Sequence, residues 1–89
     1  MKAVITVIGK DSVGILAKVS EACSKADVNI VEVTQSVLQD MFAMIMLVDI
    51  SKLSIPFAEL SDKMSALGNE LGLSITAMHE DVFNCMHHI

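Results

Sequence analysis

The residues of this chain whose types and spacing could do chemistry fall into two groups, a glycine-bounded loop near the N-terminus and a polar cluster at the C-terminus. The loop is Gly9-Lys10-Asp11-Ser12-Val13-Gly14, set between an apolar strand and an amphipathic helix. Its GxxxxG spacing is that of a phosphate cradle, but Ile15 and Leu16 stand where that chemistry requires Lys and Ser or Thr, so a nucleotide site is not expected. What remains is a set of free backbone amides beside a positive helix end, a combination suited to a carboxylate. On residue chemistry alone a plainer reading stays open, in which Gly9 and Gly14 only let the turn form and the helix approach the sheet. Lys10 and Asp11 read as cap and solvent-facing residues rather than as a catalytic pair.

His79, Glu80, Asp81, Cys85, His87 and His88 are all potential metal ligands, gathered between position 79 and the C-terminus. Their spacing matches no zinc pattern, and a terminal tail lacks the outer partners that orient metal ligands, so no metal site is expected. Cys85 beside His87 has no visible third group to orient it and no oxyanion hole. Cys23 lies in an apolar helical stripe, and the two cysteines make neither CxxC nor a disulfide framework. Met44 and Met46 read as core or interface filler rather than a soft-metal site. No nucleophile, no acid/base pair and no cofactor motif stands out, so the chain is not expected to be an enzyme.

Charge removes further classes. The net charge is −5, no arginine is present, and the aromatics are three Phe with no Trp or Tyr. Nucleic acid binding needs a basic footprint and, for single strands, stacking platforms, and both are missing. The longest apolar run, 41–48, is far short of the roughly 20 residues that span a bilayer, and the N-terminus lacks the features of a signal peptide. A cytoplasmic protein with no membrane or nucleic acid partner is expected. With 89 residues the chain is expected to form one domain, 1–89, with a core over 1–79 and a tail over 80–89. An aliphatic content that brings hydrophobic residues to 53% is hard to hide in so small a monomer, which points to a second subunit.

The elements that must position the loop follow from periodicity. Residues 2–8 are apolar on both faces, as a central strand is, and Gly9 ends them. Asp11 or Ser12 is placed to cap a helix with an apolar stripe at Ile15, Leu16, Val19, Ala22, Cys23 and Ala26. After the turn 25–29, residues 30–38 form a second strand whose Glu32, Thr34 and Ser36 suit an edge. Gln39 and Asp40 make a tight hairpin into 41–50, apolar on both faces and again central. Ser54 with Pro56 opens a second helix burying Phe57, Leu60, Met64, Leu67 and Leu71; Gly68 weakens it and Gly72 stops it. Residues 73–78 give a fourth strand, and the tail is expected to form a short helix with Val82, Phe83 and Met86 on one side. The order is a strand-helix-strand unit written twice, with Leu16 and Ile30 in the first half matching Leu60 and Ile75 in the second. Right-handed crossovers then give an α+β, ferredoxin-like βαββαβ fold, a four-stranded antiparallel sheet with two helices on one face. The other face is left needing a cover.

The run VIGKDSVGILAKVSEACSKADVNIVEVTQSVL resembles the opening of an ACT domain, a strand ending in G(K/R)D, then xxGI or xxGL, a helix, and NI at the start of strand two. Gly9, Lys10, Asp11, Gly14, Ile15, Leu16, Asn29 and Ile30 fill those places. Over nearly its full length the chain is most similar to free-standing single-ACT-domain proteins, themselves similar to the ACT domains of the glycine-cleavage-system transcriptional repressor. The resemblance implies a regulatory module that pairs side by side through edge strand and first helix and binds an amino acid at the subunit interface. Implied ligand-binding residues are Gly9, Lys10, Asp11, Ser12, Val13, Gly14 and Ile15 from one subunit and Asn29, Ile30 and Val31 from its partner. With no attached enzyme or DNA-binding domain, output would pass through a regulated protein partner. The alternative is a protein interaction module without a ligand. One departure is that the family often has glycine just before NI, where this chain has Asp27 and Val28.

Overall fold

A computed structural model describes residues 1–10 and 14–86. Its element order is β1 (Lys2–Lys10), α1 (Ile15–Lys25), β2 (Asn29–Leu38), β3 (Met41–Asp49), α2 (Phe57–Leu71), β4 (Ser74–His79) and α3 (Glu80–Met86). The four strands form one antiparallel sheet in the order β2-β3-β1-β4. The ferredoxin-like arrangement is therefore the fold, with the doubly apolar β1 and β3 in the middle and the polar β2 at an edge.

The core lies between one sheet face and α1 with α2. Ala3, Ile5 and Val7 of β1 and Met44, Met46 and Val48 of β3 meet Val19 and Cys23 of α1 and Leu60 and Met64 of α2 there, all essentially without solvent contact. Strand alternation brings every second residue to this face, and the helical stripe at intervals of four brings Ile15, Val19 and Cys23 to meet it. The two halves match more closely than the sequence suggested. Ile15, Val19, Cys23, Val28 and Ile30 correspond at one constant offset to Leu60, Met64, Gly68, Leu73 and Ile75. Ile15, not Leu16, is thus the counterpart of Leu60, and Leu16 is exposed.

Both helices end in the same motif. In α1 the Val28 N–H donates to the Cys23 carbonyl at 2.9 Å and the Asp27 N–H to that of Ser24 at 3.1 Å, with Asp27 left-handed at φ 59°. In α2 the Leu73 N–H donates to the Gly68 carbonyl at 2.8 Å, and Gly72 takes the left-handed place at φ 73°. This is the Schellman ending, which glycine occupies most easily. The family's habit of glycine before NI thus has its reason here, and Asp27 adopts the same turn at a cost. Replacing it should help: Asp27→Gly is expected to stabilise the protein by about 0.5–1 kcal/mol, raising the melting temperature by about 3–6 °C in thermal unfolding by circular dichroism. An unchanged or lower midpoint contradicts this account of the turn.

Several boundaries differ from expectation. Gly9 does not end β1, which continues to Lys10 because Gly9 and Lys10 still pair with Phe42 and Met41. The N-cap of α1 is Gly14, with no side-chain cap bond, so neither Asp11 nor Ser12 holds that place; both lie outside the described residues. The N-cap of α2 is Pro56, not Ser54, whose N–H instead donates to the Ala26 carbonyl at 3.1 Å and ties that loop to the end of α1. β4 is shifted by one residue to Ser74–His79, since Leu73 is spent on the helix ending. Phe57, Leu67 and Leu71 are half-buried at the margin of the core. Gly68 does not merely weaken α2: a Cβ there would lie 2.8 Å from the Leu73 carbonyl oxygen and 3.0 Å from the Ile75 nitrogen, so its hydrogen lets the helix settle on β4.

The tail does form a helix. α3 packs on β1 and β4, over the sheet face opposite α1 and α2. Val4, on that face, is buried, while Ile8 further along the same strand is exposed. Phe83 is turned inward, but Val82 stands 49% exposed and is not part of the covering side. His87 and His88 lie outside the described residues.

Candidate functional site

β1 delivers Gly9 and Lys10 to one end of the sheet, and α1 begins there at Gly14. Gly14 has φ 82° and ψ 11°, a conformation that strains any residue with a Cβ, and it is exposed with nothing within 4 Å of where a Cβ would stand. The first α1 bond runs from the Lys18 N–H to the Gly14 carbonyl at 3.1 Å, so the amides of Ile15, Leu16 and Ala17 have no partner within the helix. The first turn carries no acidic residue, in contrast to α2, where Glu59 sits in that position. An anion is therefore favoured at this helix end, and the described side chains supply none.

The other loop residues divide. The Ile15 side chain is only 3% exposed and belongs to the core, so only its backbone could face a ligand. Gly9 is half-buried, and a Cβ on it would overlap the Leu73 side chain, which gives this glycine a packing role. Lys10 is exposed. Asp11, Ser12 and Val13 lie outside the described residues.

Asn29, Ile30 and Val31 are not beside that loop. β2 runs parallel to β1 with β3 between them: Lys10 and Leu38 both pair with Met41, whereas Lys2 and Asn29 both pair with Asp49. The loop and the 29–31 segment therefore stand at opposite ends of the sheet, about 26 Å apart at the usual rise per strand residue. The register shifts between Ile30 and Glu32, so Val31 is the extra residue of a bulge, 49% exposed at the free side of β2. That end of the sheet is well tied. The Met1 amine donates to Ser51 Oγ at 3.2 Å, the Ile50 N–H to the Met1 carbonyl at 3.0 Å, and the Ser51 N–H to Asp49 Oδ1 at 2.8 Å. The hydrogen bonds from Ser51 hold the Asp49 carboxyl below its ordinary range.

No three His, Cys, Asp or Glu side chains converge among the described residues. Burial pushes the Cys23 thiol up to about 11, so at neutral pH it is a thiol in a closed core and not a nucleophilic thiolate. His79 is stacked on Phe57 with ring centroids 4.1 Å apart and planes at 25°. No helix among the described residues is long and apolar enough to cross a membrane.

A βαββαβ sheet with a left-handed glycine opening its first helix and a polar strand at its edge is the architecture that the ACT-domain resemblance implies. The family model described as the ACT domain matches residues 2–78. A UPF0237 protein of Methanococcus maripaludis is 46% identical over 86 residues, spanning 97% of this chain and 96% of its own, and one of Listeria innocua is 42% identical over 98% of each. The chain belongs to the ACT-domain family, among its UPF0237 proteins. In structure it is similar to an ACT domain protein from Streptococcus pneumoniae, with a TM-score of 0.81, 36% identity and 93% of each chain covered. A protein described as a glycine cleavage system transcriptional repressor shares the fold, with a TM-score of 0.73 and 24% identity over 85% of this chain and 43% of that one.

Proposed function

We propose that this chain is a regulatory ACT module that works as a homodimer, binds an amino acid between its subunits and passes the signal to a protein partner. One observation carries the reading. The two halves of the implied site stand at opposite ends of one protomer's sheet, and a second copy laid antiparallel along the free edge of β2 would bring the partner's 29–31 end to the same end of the joint sheet as this chain's Gly14. β2 is suited to such pairing. It is ten residues long, has no Pro or Lys, and exposes residues 34–37 without a break. Edge strands that must stay single are usually blunted by just such residues, and here only the bulge at Val31 interrupts it.

In that assembly the first-turn amides of α1, at Ile15, Leu16 and Ala17, take the carboxylate, and Asn29 to Val31 of the second copy close the other wall. Residues 1–89 act as one domain, with 80–89 as an accessory tail to the 1–79 core. Isothermal titration of the dimer against the amino acids tests the reading. Saturable heat at one amino acid per site, with two sites per dimer, supports it. A dimer that gives no heat with any amino acid favours instead the interaction module without a ligand.

A further inference from the structure

A second site lies on the face of the sheet that α1 and α2 do not cover. Between that face and α3 runs a half-open groove of about 420 Å³, within the range of small-molecule sites of about 300–1,000 Å³. Its floor is Thr6, Ala43, Ile45 and Thr76, and α3 supplies Phe83 and Met86 as its side. Two features define what fits. No ionisable side chain lines it, so a charged ligand would find no opposite charge there to offset the hydration it loses. Thr6 and Thr76 stand directly opposite each other in the β1–β4 register, and their hydroxyls have no hydrogen-bond partner among the described residues. The rest of the lining is aliphatic, aromatic or thioether, and Met78 beside Thr76 on the floor and Met86 on the side adapt to ligand shape.

We infer that this groove binds a small neutral amphiphile, an aliphatic or aromatic body carrying one hydroxyl or carbonyl group that bonds to Thr6 and Thr76. A zwitterionic amino acid does not suit it, so the site is distinct in chemistry as well as in place from the helix end at Gly14. It also does not depend on the amino acid reading. α3, which lies outside the repeated strand-helix-strand plan, would join the ligand to the sheet.

The probe is N-phenyl-1-naphthylamine, a neutral fluorophore with a single N–H, titrated into the full chain. Saturable fluorescence at one probe per chain is expected, displaced by normal alcohols with affinity rising about two- to fourfold per methylene from hexanol to octanol. Octanoate at pH 7.5 should be at least about tenfold weaker than octanol, because two hydroxyls without an opposite charge do not offset the hydration a carboxylate loses. Ala43→Phe fills the floor and should abolish probe binding. The nearly isosteric pair Thr6→Val and Thr76→Val, with its circular dichroism unchanged, should weaken octanol by about three- to tenfold. Equal displacement by octanol and octanoate overturns the inference, as does undiminished binding by the threonine variant. So does probe fluorescence that disappears as the protein self-associates, which would mark a second copy as the occupant of this face.

Discussion

The double variant Gln35→Lys with Val37→Lys is expected, on the proposed dimer, to be a folded monomer whose affinity for an amino acid is at least about tenfold below that of the parent, because like charges facing each other across the proposed shared edge repel and lose hydration. Both side chains are exposed in the single chain, Val37 by 58%, so neither change removes a buried contact. Neither residue belongs to the set proposed to touch the ligand. A loss of affinity would therefore come from separation of the subunits, which takes Asn29 to Val31 away from the Gly14 end. Sedimentation velocity, circular dichroism and titration calorimetry on the same samples check the three parts. A variant that stays dimeric would place the subunit contact elsewhere than β2. One that is monomeric yet binds as tightly as the parent would sink the shared site and leave a pocket within one chain.

Much of this architecture is legible in the residues because each element carries a single strong pattern. β1 and β3 are apolar on both faces and lie centrally; β2 alternates Glu32, Thr34 and Ser36 and lies at the edge. The α1 stripe was readable too, but its start was not. Asp11 and Ser12 are the residue types that cap helices, whereas the cap is Gly14, chosen by backbone angle rather than by a side-chain bond. Residue type reports hydrogen-bonding capacity, and here torsion decided. The residues of the proposed site are named by the resemblance, but their separation is not legible, because the distance between Gly14 and Val31 appears only when both strands are set in one register. The groove beneath α3 was hidden for a related reason. Thr6 and Thr76 look like ordinary solvent-facing positions until β1 and β4 pair and a helix comes down beside them.

Gly68 gives the sharpest contrast between local and tertiary effects. Helix propensity alone favours Gly68→Ala by about 1 kcal/mol. The structure reverses the sign. The added methyl would stand 2.8 Å from the Leu73 carbonyl oxygen, 3.0 Å from the Ile75 nitrogen and 3.1 Å from Ile75 Cγ1, and the first two are backbone atoms that cannot rotate away. α2 would have to lift from β4, loosening the contacts of the buried Met64 and Ile75 and straining the Leu73 N–H bond to the Gly68 carbonyl. Overpacking of this kind costs about 1–3 kcal/mol beyond what the helix gains, a fall in melting temperature of about 5–15 °C for a chain of this length. The corresponding residue in the first half, Cys23, does carry a side chain, and the core there accommodates it. The two halves thus share a plan but pack their helices at different depths. Denaturant unfolding of Gly68→Ala beside Asp27→Gly gives opposite signs if this is correct, the alanine lowering the midpoint and the glycine raising it. An alanine variant that proves more stable than the parent would mean that α2 does not rest on β4 as closely as the structure places it.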